Sequence, residues 1–147
     1  MNGAFYNEID PFAVQWTRNL INAGHVTSGI VDERSIEDLK PKDLHGFTQA
    51  HFFSGIAVWS HALRLAGWSD TEEIWTGSCP CQPFSAAGRR KGFKDKRHLW
   101  PAWFRLIKKC RPPIILGEQV GGPAGLKWLD AVCADLEGCG YAVAAGD

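Results

Sequence analysis

A chain of 147 residues suits one domain of ordinary size, and 45% hydrophobic residues with seven tryptophans exclude a disordered polypeptide. Sixteen Lys and Arg offset sixteen Asp and Glu, so there is no global basic footprint, and any nucleic-acid contact needs a local patch. Five cysteines without framework spacing argue for reduced thiols; no signal pattern opens the chain, and no apolar run approaches the ~20 residues of a membrane span. The expectation is a soluble cytoplasmic protein with no membrane partner.

The chain opens on a short β-prone run from Gly3 that ends in Glu8, Ile9 and Asp10. Pro11 suits a first helical turn with Asp10 as its N-cap, and Phe12, Ala13, Trp16, Leu20 and Ile21 follow at helical spacing up to Gly24. A carboxylate at such a strand end can accept hydrogen bonds from a nucleotide ribose. Glu8 is the better candidate if Asp10 is spent as a cap; the alternative is that both merely cap the helix. Gly29 to Ile36 reads as a second strand carrying Asp32, which is either an acceptor for an adenine amino group or a surface-turn aspartate. Thr48 to Ile56 reads as a buried strand breaking at Gly55, followed by a helix that closes at Gly67. Strand, glycine and helix in that order bring backbone close to a ligand and aim helix N–H groups at it.

Glu73-Ile74-Trp75 is a strand edge leading into Thr76-Gly77-Ser78-Cys79-Pro80-Cys81-Gln82-Pro83-Phe84-Ser85. Two prolines stiffen the loop around Cys81, a residue type nucleophilic as its thiolate. A Cys79–Cys81 metal site lacks a second closely spaced Cys or His pair, so no metal is expected. The basic run Arg89, Arg90, Lys91, Lys94, Lys96 and Arg97 follows directly and is either a solvated face or a phosphate-binding patch. His98 to Ile107 has the pattern of an amphipathic helix, stopped by Arg111-Pro112-Pro113. Ile114-Ile115-Leu116 then starts another buried strand, which delivers Glu118 to the edge carrying the cysteine loop if the strands are parallel. Burial there would raise the pKa of Glu118 enough to hold a proton near neutrality. Trp128 to Leu136 is a last amphipathic helix. Alternating strands and helices predict an α/β fold, a mostly parallel sheet with helices on both faces.

Pro80-Cys81-Gln82-Pro83-Phe84-Ser85 resembles the catalytic loop of the DNA cytosine-5 methyltransferases, and the comparison extends over most of the chain. Phe52-Phe53-Ser54-Gly55-Ile56 is similar to the motif that cradles the methionine part of S-adenosylmethionine. Glu8-Ile9-Asp10-Pro11 resembles the ribose motif, Asp32 the adenine-contacting aspartate, and Glu118-Gln119-Val120 the Glu-Asn-Val motif with Gln for Asn. The resemblance implies a Rossmann-like three-layer sandwich and a flipped target cytosine in double-stranded DNA. It makes Cys81 the nucleophile at carbon 6 and Glu118 the group at ring nitrogen 3. Phe53, Ser54, Gly55, Ile56, Glu8, Ile9, Asp32 and Pro80 then fall in the cofactor site, and Gln82, Ser85, Arg89, Arg90, Lys91 and Arg97 at the DNA.

Three departures stand out. The ribose and adenine motifs precede the glycine motif, an inverted order that the same sheet accommodates if its strands connect differently. Ala57 and Val58 follow Ile56 where the family pattern has glycines, which would place side chains at the backbone's approach to the cofactor. No later Gln-x-Arg-x-Arg motif or target-recognition region is present in residues 1–147. The expectation is therefore one partial catalytic domain lacking the last strands of its sheet, in a bacterial or phage-infected cell, in the setting of restriction and modification. The alternatives are a catalytically silent remnant and half of a split enzyme whose partner chain supplies target recognition.

Overall fold

Ala4–Asn7 and Gln49–Phe52 are buried at every position, the mark of central strands covered on both faces. In the computed structural model, which describes residues 3–80 and 99–146, they form part of a five-stranded sheet. The strands are β1 (Ala4–Asn7), β2 (Gly29–Asp32), β3 (Gln49–Phe52), β4 (Ile74–Ser78) and β5 (Ile115–Glu118), in the order β2-β1-β3-β4-β5. Every pairing is parallel. The helices are α1 (Pro11–Asn22), α2 (Val58–Leu65), α3 (Trp100–Cys110) and α4 (Pro123–Gly138), with a short 3-10 helix at Pro41–Leu44. This is the expected α/β sandwich.

Alternation along the strands assigns the layers. Ala4, Tyr6 and Val31 face Leu20 and Ile21 of α1, and the Tyr6 hydroxyl meets Ser60 Oγ of α2 at 2.9 Å, so α1 and α2 share a face. Phe5, Ala50, Phe52 and Trp75 face the other way, into the main core with Trp100, Trp103 and Leu106 of α3 and Trp128 and Val132 of α4. The connection from β2 to β3 covers that second face with Ile36, Leu39 and Leu44. The crossovers therefore differ in hand. Between β1 and β2 the chain moves one way across the sheet through α1; between β3 and β4 it moves the opposite way through α2, on the same face. The crossovers from β2 to β3 and from β4 to β5 share the hand of the first, so β3–α2–β4 is the odd one, in a class of connection that is right-handed in about 98% of cases.

Several boundaries differ from the sequence reading. β2 ends at Asp32, not Ile36, because the Asp32 carboxylate turns back to accept from the Arg34 amide at 2.9 Å. β3 ends at Phe52, because Phe53 adopts φ 51°. β4 runs through Thr76 and Gly77 to Ser78 instead of stopping at Trp75. α4 starts at Pro123, after Gly122 at φ 123°, where proline suits a first helical position. The strand from Ile114 was expected to be buried; instead β5, like β2, is an edge strand among the described residues, and Ile114, Leu116 and Glu118 are exposed.

Candidate active site

In an open parallel sheet, ligands bind beyond the strand C-termini where successive crossovers diverge. Here that point lies between β1, whose chain leaves toward β2, and β3, whose chain leaves toward β4. The residues just past these two strands are Glu8 and the turn Phe53 to Ala57. Glu8 Oε1 accepts from the Ile9 and Asp10 amides, each at 2.9 Å, and Oε2 accepts from the Gly55 amide at 2.7 Å. Glu8 thus bridges the switch point, whereas Asp10 alone caps α1, accepting from Ala13 N at 2.9 Å.

Around this bridge the turn is cinched from several sides. Ser54 N donates to the Asn7 carbonyl at 3.1 Å, and Thr17 Oγ1 of α1 donates to the Gly55 carbonyl at 3.1 Å. Ser54 is buried and its Oγ has no hydrogen-bond partner. α2 begins without a side-chain cap. Ile9 and Ile56 are exposed beside the bridge. Ala57 sits at φ 61°, but its methyl is buried among Ala4, Tyr6 and Val26 and does not stand in the open site, contrary to the expectation for that position. Val58, by contrast, is exposed. Ala57→Gly should relieve the left-handed strain while losing a buried methyl and loosening the unfolded chain. The expected net change in urea-unfolding free energy is under about 1 kcal/mol.

At the end of β2, Asp32 is gripped by Arg34: Nη2 lies 2.6 Å from Oδ2 and Nε 3.0 Å from Oδ1. These side-chain hydrogen bonds hold the Asp32 carboxyl below the usual carboxylate range. Asn7 was missed by the sequence reading. Its buried amide donates to the Asp32 carbonyl at 3.2 Å and the Arg34 carbonyl at 2.8 Å, tying the two strand ends together. Its only sequence signal is an amide in an otherwise apolar strand, one residue before Glu8.

β4 leads into Cys79 and Pro80. Cys79 is buried, and burial pushes its thiol up to about 12, so it is not a thiolate at neutral pH. Trp59 Nε1 donates to Ser78 Oγ at 3.0 Å, fixing the strand end to α2. Beneath it, Gly77 leaves room for Trp103: a Cβ there would lie 2.5 Å from the indole Cη2. Ser78 is in register with Glu118 on β5, which places that carboxylate level with the strand end feeding the cysteine loop. Glu118 is exposed, not buried as expected. Pro80 is exposed as well, at the last described position before the loop. Cys81, Gln82, Ser85, Arg89, Arg90, Lys91 and Arg97 lie outside the described residues, as do Lys94 and Lys96.

Among the described residues, no cluster of His, Cys, Asp and Glu is arranged to hold a metal, and no helix is long and apolar enough to cross a membrane. Against known proteins, the family model for C-5 cytosine-specific DNA methylase matches residues 61–145, more than half of the chain. The Type II methyltransferase M.PspPI of Psychrobacter sp. (strain TA137) is 40% identical over 75 residues, covering 48% of this chain and 18% of the relative. M.AplI of Arthrospira platensis is 34% identical over 73 residues, 48% of this chain and 21% of the relative. M.NgoMIV of Neisseria gonorrhoeae is 42% identical over 53 residues, 36% of this chain and 17% of the relative. The matched stretch thus spans about a fifth of each relative's length.

Proposed function

We propose a reaction from one premise: this chain belongs to the C-5 cytosine-specific DNA methylase family. The reaction is transfer of a methyl group to carbon 5 of a cytosine in double-stranded DNA, with S-adenosylmethionine as donor. The observation that carries it is the convergence on one sheet edge of the Glu8–Gly55 bridge, the β4 strand end before Cys81, and Glu118 in register with Ser78.

The donor set fits such a cofactor. Glu8 is an anionic acceptor suited to ribose hydroxyls, Ser54 holds a buried hydroxyl without a partner, α2 presents an uncapped N-terminus, and Ile9 and Ile56 offer apolar contact. Phe53, Gly55, Asp32 and Pro80 complete the assigned site. When bound, S-adenosylmethionine supplies an electrophilic methyl group. Cys81 adds through Sγ to carbon 6 of the extruded base, while Glu118 shares a proton with ring nitrogen 3. The ring electrons displaced by that addition make carbon 5 nucleophilic. After methylation a base takes the carbon-5 proton, its bonding pair restores the carbon 5–carbon 6 double bond, and Cys81 leaves as the thiolate. Gln82, Ser85, Arg89, Arg90, Lys91 and Arg97 are assigned to the DNA, the arginines and lysine as phosphate contacts.

Residues 1–147 act in this reading as a catalytic unit, and target recognition is supplied from outside these residues, by further chain or by a partner chain. Among the described residues no strand pairs with the outer edge of β5, and such an edge is a template for a further strand. The four described cysteines, all free thiols, support a reducing cytoplasm in a bacterial or phage-infected cell.

Duplex DNA containing 5-fluorocytosine tests the reaction, because fluorine blocks the last elimination and leaves the protein attached. A denaturation-resistant adduct that requires S-adenosylmethionine and is absent with Cys81→Ser is the expected result. An adduct that survives Cys81→Ser would remove Cys81 from its role. No adduct, even with candidate partner chains added, would leave the silent-remnant reading in its place.

A further inference from the structure

Asp32 and Arg34 stand two residues apart where β2 stops, and the turn there folds the arginine back over the carboxylate. The Arg34 amide donates to Asp32 Oδ1 at 2.9 Å. Nε lies 3.0 Å from Oδ1 and 3.1 Å from Oδ2, and Nη2 lies 2.6 Å from Oδ2. A carboxylate offers about four acceptor sites, so these contacts from one residue fill Asp32. The Asp32 side chain is only 13% exposed, whereas the arginine that covers it is 48% exposed.

The backbone under this pair is fixed. Asn7, itself buried, donates to the Arg34 carbonyl at 2.8 Å and to the Asp32 carbonyl at 3.2 Å. The exposed guanidinium, by contrast, can move, and a second carboxylate is within its reach. Nη1 is 3.3 Å from Asp43 Oδ2, an oxygen that also accepts from the Lys40 amide at 2.8 Å. On leaving Asp32 the guanidinium therefore keeps an anionic partner. Asp32 keeps the Arg34 amide on Oδ1, which leaves Oδ2 open and the carboxylate still oriented.

We propose that Arg34 is a specificity-determining residue of the cofactor site: it occupies the Asp32 carboxylate, and an aminopurine base binds there by displacing it toward Asp43. The inference rests on the S-adenosylmethionine reading, in which Asp32 takes the adenine amino group. Glu8 and Asp32 stand on adjacent strand ends, joined by the Glu8 amide on the Asp32 carbonyl at 3.1 Å. A ribose held by Glu8 thus directs its base toward the Asp32–Arg34 pair. An amino group and a guanidinium are both donors, so they compete for the one carboxylate. A base with a carbonyl in that position is an acceptor, which Arg34 can serve and a bare Asp32 would repel. Arg34 therefore weakens the grip on adenine and narrows the choice between the two bases.

The test is calorimetric binding of S-adenosylhomocysteine and of S-inosylhomocysteine, whose purine carries a carbonyl where adenine has its amino group. Neither ligand has a net charge, so removing one positive charge from the protein does not by itself favour either. An exposed ion pair alters affinity by a few-fold at most. Arg34→Met should therefore bind the adenosyl ligand about three- to fivefold more tightly than the unaltered protein, and the inosyl ligand more weakly. Its preference for the amino base should rise by about tenfold. Arg34→Gln, a donor without the two-pronged grip, should fall between the two, and it serves if the Met variant fails to fold. Weaker adenosyl binding in Arg34→Met, or an unchanged preference between the ligands, would make Arg34 a structural support and overturn the proposal, with cofactor binding intact. Failure of the unaltered protein and of both variants to bind either ligand would defeat the S-adenosylmethionine reading, and this inference with it.

Discussion

Replacing Trp103 by Ala is expected to lower the unfolding free energy by about 3–5 kcal/mol, a large fraction of the 5–15 kcal/mol typical of a domain. Trp103 is fully buried at the centre of the larger core. Its ring lies edge-on to Trp100 at 5.6 Å and to Phe53 at 6.2 Å, and tilted against Phe52 at 5.9 Å. It thereby joins α3 to β3 and to the turn that follows β3. The indole also fills the space left by Gly77 on β4, so the reverse change is costly too. Gly77→Ala places a methyl carbon 2.5 Å from the ring in a site without slack, an overpacking of about 1–3 kcal/mol. The two changes share one contact. Gly77→Ala combined with Trp103→Leu should therefore cost less than the sum of the single changes, as a urea-unfolding cycle would reveal. A loss below 1 kcal/mol for Trp103→Ala, roughly a fifth of the smallest typical stability, would show that the core repacks freely and that β4 is held by other contacts.

The sheet was legible because its strands are short apolar runs punctuated by glycine and proline, and the helices because their aromatic residues recur at helical spacing. What periodicity could not supply was position within the sheet. Ile114-Ile115-Leu116 has the same run whether a strand lies at the centre or the edge, and the chain put it at the edge, where Ile114 and Leu116 meet solvent. The inverted order of the cofactor motifs did carry information. Glu8 and the Gly55 turn end up on adjacent strands despite their reversed order, and the sheet accommodates this through the odd-handed β3–α2–β4 crossover. α2 stays over Tyr6 on the β1 side of β3, through the Tyr6–Ser60 contact, while the chain goes on to β4. The chemistry-bearing residues Glu8, Asp32, Cys81 and Glu118 stood out from residue type and local motif. Asn7, Thr17 and the Gly77–Trp103 contact did not, because those partners lie more than twenty residues apart and no local pattern marks a long-range contact.

Acid should destabilise the fold before its ordinary carboxylates titrate, and His51 is the reason. The ring is fully buried, stacked on Tyr6 at 5.0 Å, with Nδ1 2.8 Å from Thr76 Oγ1 and Nε2 3.2 Å from Gln49 Oε1. The Gln49 amide donates to the Ser69 carbonyl, which fixes its oxygen toward the imidazole, so Nε2 carries the proton and Nδ1 accepts from Thr76. A neutral ring satisfies every group; a second proton would place a charge inside the sheet layer. The nearest ion pair, Arg64 with Asp70, is reached only through Thr27, whose hydroxyl contacts both Gln49 and Asp70. Burial accordingly pushes the His51 pKa from 6.5 down to about 4. Because the unfolded chain takes up the proton first, stability is complete above about pH 6.5 and declines as pH falls toward 4, by a total of about 3 kcal/mol. Asp32 and Asp70, held low chiefly by hydrogen bonds from Arg34 and Arg64, begin to lose their contributions only as pH falls through the ordinary aspartate range, so most of the His51 effect is complete before theirs. Urea unfolding at pH 7.5, 5.5 and 4.5 should therefore show a steep fall that His51→Gln flattens, whatever that substitution costs at neutral pH. An equal slope in His51→Gln would move the proton uptake to another group and leave the buried imidazole a purely structural member of the Tyr6–Thr76–Gln49 cluster.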